Sequence, residues 1–217
     1  MIEIFIENRD SLLTGLLATL ELAIVSCVLA TALGIVLGVV ASLRIKALNL
    51  AVTIFVDVVR GIPLLVLTFF IYYGISPALG VILPVFTAGV ISLTINAGAY
   101  ITEIVRGGIR AVSKGQKEAA LAIGMTFNQS MRVVVLPQAF QIMLPNFVSQ
   151  YIITLKDTTI ISAIGLLELL LAGKKIVGRT FASLPVYSLI AIFFLIVISL
   201  LTWVAKTLEK RTEESLG

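Results

Sequence analysis

The sequence predicts an all-α membrane protein with five transmembrane helices. Three observations carry that prediction: composition, long uncharged runs, and the placement of basic residues. Mean hydropathy is +1.11, and 59% of the 217 residues are hydrophobic while 13% are charged. Soluble domains carry about 25% charged residues. Residues 61–102 hold no charge over 42 positions, residues 133–155 none over 23, and residues 184–205 none over 22. A bilayer core takes about 20 apolar residues per helix, so each run can cross and the longest must cross twice.

The first span is residues 12–43, interrupted only by Glu21. The preceding residues, 1–11, are acidic and lack a basic n-region, so they read as an extracytoplasmic N-terminus ahead of a retained span. The 42-residue run is divided by Tyr72-Tyr73-Gly74, Pro77, Gly80 and Pro84, which predict a tight turn between spans 48–73 and 85–109. A fourth span covers 127–151 and a fifth 184–206, with 207–217 as a cytoplasmic tail. Residues 160–173 are apolar but short, and read as a re-entrant or gate-side helix.

Lys and Arg placement orients the chain. Arg44 and Lys46 follow span one; Arg106, Arg110, Lys114, Lys117 and Arg132 surround the loop after span three; Lys206, Lys210 and Arg211 follow span five. These ten lie on one side, expected to be cytoplasmic, with the N-terminus outside. Lys174, Lys175 and Arg179 fall on the other side and weaken the pattern without reversing it.

The loop at residues 110–126 is polar and basic in a chain that should keep its loops short. Ser113 with Gln116, and Thr126 with Gln129, have capping-box spacing. Gly124 between them has the position of a C-terminal cap. A helix of about ten residues is expected to end there, roughly 15 Å long. Lys117 and Glu118 are expected to face water, and Ala119, Ala120 and Ile123 to offer a shallow apolar surface. Such a helix suits docking rather than catalysis.

Here the residues carry a resemblance. Glu118-Ala119-Ala120, Gly124 and Val135-Leu136-Pro137 resemble the EAA loop of permease subunits in binding-protein-dependent ABC importers. Three other segments resemble the polar amino-acid branch of that family. These are Val59-Arg60-Gly61-Ile62-Pro63-Leu64-Leu65, Ile104-Val105-Arg106-Gly107-Gly108-Ile109 with Lys114-Gly115-Gln116, and Leu155-Lys156-Asp157-Thr158-Thr159. The likeness runs in order over about residues 12–206.

The resemblance implies the type I importer transmembrane-domain fold in a prokaryotic cytoplasmic (inner) membrane. It implies a permease homodimer, or a heterodimer with a similar chain, since five spans are too few to enclose a solute. It also implies two ABC ATPase subunits holding MgATP and an extracytoplasmic amino-acid-binding protein. Lys117, Glu118, Ala119, Ala120, Ile123 and Gly124 would then form the ATPase-coupling helix. No cofactor is expected on this chain and no nucleic-acid partner.

The sequence agrees that ATP chemistry lies elsewhere. No G-x-x-x-x-G-K-[ST] occurs; Gly173-Lys174-Lys175 is the nearest echo and lacks the spacing and the hydroxyl. With no His and a lone Cys27 there is no Cys/His metal site. The chain is expected not to be an enzyme. An autonomous secondary transporter would need internal repeat symmetry, and none is visible between the halves.

Ionisable groups at membrane depth face protein or water. Asp57 and Arg60, and Glu103 and Arg106, lie three apart on helix faces and read as structural ion pairs, with a gating role as the alternative and a kink expected at Pro63. Span four carries Pro137, Pro145, Gln138, Gln141, Asn146 and Gln150, and either lines the translocation pathway or packs on a second subunit. Asn96 reads as an interhelical hydrogen-bonding group or a pathway residue. Lys156, Asp157 and Thr158, with Glu168, form a second candidate gate. Asp157 or Glu168 would meet a substrate's amino group, or the cluster would hold an internal salt bridge or helix cap. The Gly34–Gly38 pair fits G-x-x-x-G and suggests a close helix crossing.

Overall fold

A computed structural model describes residues 2–43 and 45–216, with the side chains of 204 and 208–216 left aside. Every regular element among the described residues is helical. The order is α1 (Ile2–Ser42), α2 (Lys46–Gly61), α3 (Leu64–Phe69), a π turn (Phe70–Ile75) and α4 (Ser76–Ala78). Then come α5 (Val85–Ala111), α6 (Lys114–Ala122), α7 (Phe127–Ser130), a π turn (Met131–Val135) and α8 (Leu136–Asp157). A 3-10 segment (Thr158–Ile164), α9 (Leu169–Thr180) and α10 (Ser183–Leu216) complete the chain.

Among the described residues four helices are long and apolar enough to cross a membrane, and a bent pair adds a fifth if it forms one span. α1 begins ten residues before the expected span, so residues 2–11 continue the helix rather than forming a separate segment. At 41 residues it is about 60 Å long, against a hydrocarbon core of about 30 Å. α10 likewise runs through the expected tail to Leu216.

Span two departs most from expectation. Instead of one kinked helix over 48–73, two helical pieces, Lys46–Gly61 and Leu64–Ala78, meet at 103°. The cause is local. Pro63 disfavours helical backbone at the residue before it, and Ile62 is extended with φ −101° and ψ 130°. Gly61 ends α2 and Pro63 opens α3.

Span four is longer than expected and irregular where Pro137 predicts it. The π turn Met131–Val135 feeds into α8 with Pro137 in its first turn. Gln138 Nε2 donates to the Val134 carbonyl at 3.0 Å, so a side chain supplies a donor where the backbone ladder is disturbed. The apolar run at 160–173 is not one helix. It divides into the 3-10 segment and α9, separated by Gly165 at φ 97°.

α1 and α5 form the centre of the bundle, and the Gly34–Gly38 pair is where they touch. A Cβ on Gly38 would stand 2.5 Å from the Val105 Cβ and 3.1 Å from the Thr102 carbonyl; one on Gly34 would meet Ile101 and stand 3.0 Å from the Gly98 carbonyl. Larger residues would push the two backbones apart. Three apolar clusters surround this crossing. One joins α1, α2, α3 and α5, another joins α1, α5 and α8, and the last joins α1, α9 and α10.

Candidate functional site: a polar cavity at the helix break, and the α6 elbow

The break at Ile62–Pro63 builds a cavity of about 430 Å³. Arg60 and the backbone of Gly61–Leu64 form one wall, Asn96 and Tyr100 of α5 a second, and Gln150 and Asp157 of α8 a third. Arg60, in the last turn of α2 just before the break, lies against α5, with its guanidinium 4.9 Å from the Tyr100 ring centre.

The expected Asp57–Arg60 ion pair is therefore not formed: both side chains are exposed, and Arg60 takes the aromatic partner. Glu103 and Arg106 do pair, at 2.7 Å, and Arg106 also approaches the Thr53 hydroxyl at 3.5 Å.

Asn96 is 8% exposed and Gln150 5%. Asn96 makes no interhelical hydrogen bond among the described residues. Gln150 reaches only the Thr154 hydroxyl one turn on, at a long 3.5 Å. Both amides retain donors and acceptors for a solute in the cavity. Asp157 is half-buried and has no ion-pair partner among the described residues, so the Lys156–Asp157 salt bridge is absent. The cavity continues along α5 and α8 into a second space of about 550 Å³, where Glu103, Asn146 and Ser149 join the lining.

The rest of the expected gate cluster lies apart from this cavity. Lys156 is exposed. Thr158 is buried and its hydroxyl donates to the Leu155 carbonyl at 2.7 Å. Glu168 is fully buried and caps α9, its two oxygens accepting from Leu170 N and Leu171 N at 2.8 Å each. Its side chain is thereby spent on backbone, which corrects the expectation of a substrate-facing carboxylate. Burial pushes the Glu168 carboxyl above the usual carboxylate value, while those backbone donors and Lys174 oppose the rise. The Leu169 N–H bonds the Thr19 hydroxyl of α1 at 3.1 Å, so the start of α9 is fastened to α1.

The second functional element is α6. Gly124, at φ 88°, occupies the left-handed C-cap position that favours glycine. Met125 N bonds the Ala120 carbonyl at 3.1 Å and Gly124 N the Leu121 carbonyl at 3.0 Å, a Schellman pair. The Thr126–Gln129 capping box is formed. The Ser113–Gln116 box is not: Gln116 N bonds the Ser113 carbonyl, and the Ser113 side chain caps nothing. Its backbone turn already supplies that acceptor.

The surface of α6 also differs in part. Ala120 turns inward at 4% exposure, and Lys117 is half-buried with its ammonium 4.6 Å from the Phe127 ring centre. Glu118, Ala119 and Gly124 are exposed, and Ile123 is 76% exposed with Leu121 beside it. The presented apolar patch is thus Ala119, Leu121 and Ile123. Reading the sequence missed Leu121, because helix phase depends on where the backbone docks.

Residues 14–214 match the family described as "Binding-protein-dependent transport system inner membrane component". The chain belongs to this family. It is a transport component and a multi-pass protein of the cytoplasmic (inner) membrane.

Curated relatives agree along almost the full length. The glutamine transport system permease protein of Escherichia coli (strain K12) is 34% identical over 92% of each chain. The probable glutamine ABC transporter permease protein of Bacillus subtilis (strain 168) is 34% identical over 99% of each. Among solved structures, a crystal structure of an amino acid ABC transporter with histidines superposes with a TM-score of 0.90 and 33% identity. That match covers 95% of this chain and 96% of the other.

Sequence reading placed Arg60 in a structural pair, with a gating role as the alternative, and did not single out Tyr100 as part of a site. The available signal was an arginine directly before a Gly-x-Pro break in a membrane segment.

Proposed function

We propose that this chain is the permease subunit of an ATP-driven importer for a polar amino acid. The observation that carries the reading is the meeting of Arg60, Asp157, Asn96 and Gln150 around one cavity. A zwitterionic amino acid carries a carboxylate and an ammonium. Arg60 suits the carboxylate, Asp157 the ammonium, and the two amides suit a polar side chain. Charged groups are costly at membrane depth, and a solute that pairs with each offsets part of that cost.

In this reading two permease subunits, identical or similar, close the pathway between them, and the cavity opens towards the shared axis. The N-terminus lies outside and the C-terminus in the cytoplasm. α6 seats in a groove of a separate ATPase subunit through Glu118, Ala119, Leu121 and Ile123. Two such ATPases hold MgATP, and an extracytoplasmic binding protein delivers the amino acid. ATP binding and substrate each bias an equilibrium between inward-open and outward-open forms. The schism at Ile62–Pro63 lets α3 move relative to α2 without unwinding either helix.

The relatives named for glutamine make an amide side chain the first to try. The test is ATP hydrolysis and uptake by the purified complex in proteoliposomes, with its binding protein and the standard amino acids in turn. Stimulation by one polar amino acid or a small group of them is expected. Uptake that proceeds without the ATPase subunits, or stimulation by none of the amino acids, would overturn the proposal.

A further inference from the structure

At the end of the bundle that carries α6 lies another cavity, of about 570 Å³, unrelated to the one at the helix break. It is bounded by the C-terminal end of α1, the start of α2, the end of α5 and the start of α6. Its polar lining is Ser42, Asn49, Arg106, Arg110, Ser113, Lys114 and Lys117. Four of these are cationic, and no carboxylate lines it among the described residues. Glu103 pairs with Arg106 through Nη1 at 2.7 Å, which leaves the lining with a clear excess of positive charge. The Arg106 Nε is buried and has no hydrogen-bond partner among the described residues.

The remaining wall is apolar, with Ala41, Leu43, Val112 and Met131, and the surface beside it exposes Leu43, Ile45, Leu48 and Leu50. A ligand that fits must therefore carry negative charge at one end and hydrocarbon at the other. A free inorganic anion would leave the apolar wall uncovered. A protein carboxylate would satisfy charge but would bring no hydrocarbon to the exposed leucines. Basic pockets between membrane helices at the headgroup level take anionic phospholipid headgroups.

We propose that this cavity binds the phosphodiester headgroup of an anionic phospholipid, with its acyl chains lying along the apolar surface of α1 and α2. Arg110 and Lys114 hold the phosphate from the α5–α6 junction. The lipid then bridges α1, α2, α5 and the first turn of α6, and stiffens the connection between the bundle and the elbow. This assignment is independent of which solute the other cavity carries.

Native mass spectrometry of the purified transporter complex, delipidated and then titrated with phosphatidylglycerol or phosphatidylcholine, tests it. Phosphatidylglycerol is expected to bind about tenfold more tightly than phosphatidylcholine. Arg110→Gln combined with Lys114→Gln should abolish that preference, whereas Arg110→Lys combined with Lys114→Arg should retain it. Phosphatidylcholine binding, unchanged in both variants, separates a lost headgroup site from a lost fold. Equal retention of the two lipids by the wild-type complex would overturn the proposal, as would an unchanged preference in the Gln variant. Inorganic phosphate that displaces phosphatidylglycerol at low millimolar concentration would overturn the lipid assignment in favour of a free anion.

Discussion

The guanidinium of Arg60 lies 4.9 Å from the ring centre of Tyr100, on a different helix, while Asp57 on its own helix is left unpaired. An arginine on an aromatic face keeps its N–H groups directed outward, so it remains able to bind a carboxylate. Tyr100→Phe should therefore keep transport near the wild-type level. Tyr100→Leu should raise the KM for uptake by about 2- to 30-fold, the range of a cation–π contact worth about 0.5–2 kcal/mol. Equal effects of the two substitutions would show that the ring face does not position Arg60.

Asp157 faces the same cavity without an ion-pair partner. Asp157→Asn removes the charge that would meet the substrate's ammonium, and a charge-assisted hydrogen bond is worth about 1.5–3 kcal/mol. A rise in KM of roughly tenfold or more is expected, with ATP hydrolysis by the complex retained. Unchanged uptake rate and unchanged substrate preference in this variant would remove Asp157 from the pathway.

Gly124 holds φ 88°, where a side chain costs about 1–2 kcal/mol. Gly124→Val should strain the turn between α6 and α7 while leaving the spans intact. Glu118→Lys should alter the exposed face of α6 instead. In both, the subunit is expected to insert normally, and the ratio of ATP hydrolysed to substrate moved should rise. Wild-type coupling ratios in both variants would contradict the docking role of α6.

Glu168 reads differently from Asp157 although both are carboxylates in the same region. Glu168→Ala removes both acceptors from Leu170 N and Leu171 N, and loss of a helix cap costs about 0.5–2 kcal/mol. A lower melting temperature in detergent with unchanged substrate preference is expected. Glu168 lies outside the spanning segments, and burial raises its carboxyl above the ordinary value of 4.5. The folded form thus holds its proton more tightly than the unfolded chain. Stability from this group is fully present below the ordinary value and declines as pH rises through the raised one. Melting curves across that window should show the decline in wild type and a flatter profile in Glu168→Gln.

At the α1–α5 crossing, Gly38→Ala would set a Cβ 2.5 Å from the Val105 Cβ. Overpacking of this kind costs about 1–3 kcal/mol. A lower melting temperature is expected, and Val105→Gly in the same chain, which removes the opposing Cβ, should make the combined loss smaller than the sum of the two single losses. Additive losses in the double variant would show that the two positions do not share this contact.

Much of the fold was legible because the bilayer imposes it. Uncharged runs of about 20 residues must be helices, and Pro, Gly and capping residues mark where those helices stop. The turn at Gly124 and the capping box at Thr126–Gln129 are local features, and local features are visible in local sequence. The Gly34–Gly38 pair also announced a close crossing, although not the identity of its partner, α5.

What the sequence by itself determined, then, is the class of the molecule, four of its spans, the position of the elbow and the residues with chemistry to offer. Only the tertiary structure decided how those residues are grouped. Asn96, Gln150 and Asp157 were candidates without a common place until the packing of α2, α5 and α8 gathered them with Arg60 around one cavity, while Glu168 left the group to cap α9. The reason is physical. A helix face is set by periodicity, but a polar side chain's partner is set by which helix packs beside it. That choice is made by the summed packing of α1, α5 and α8, which no single segment contains.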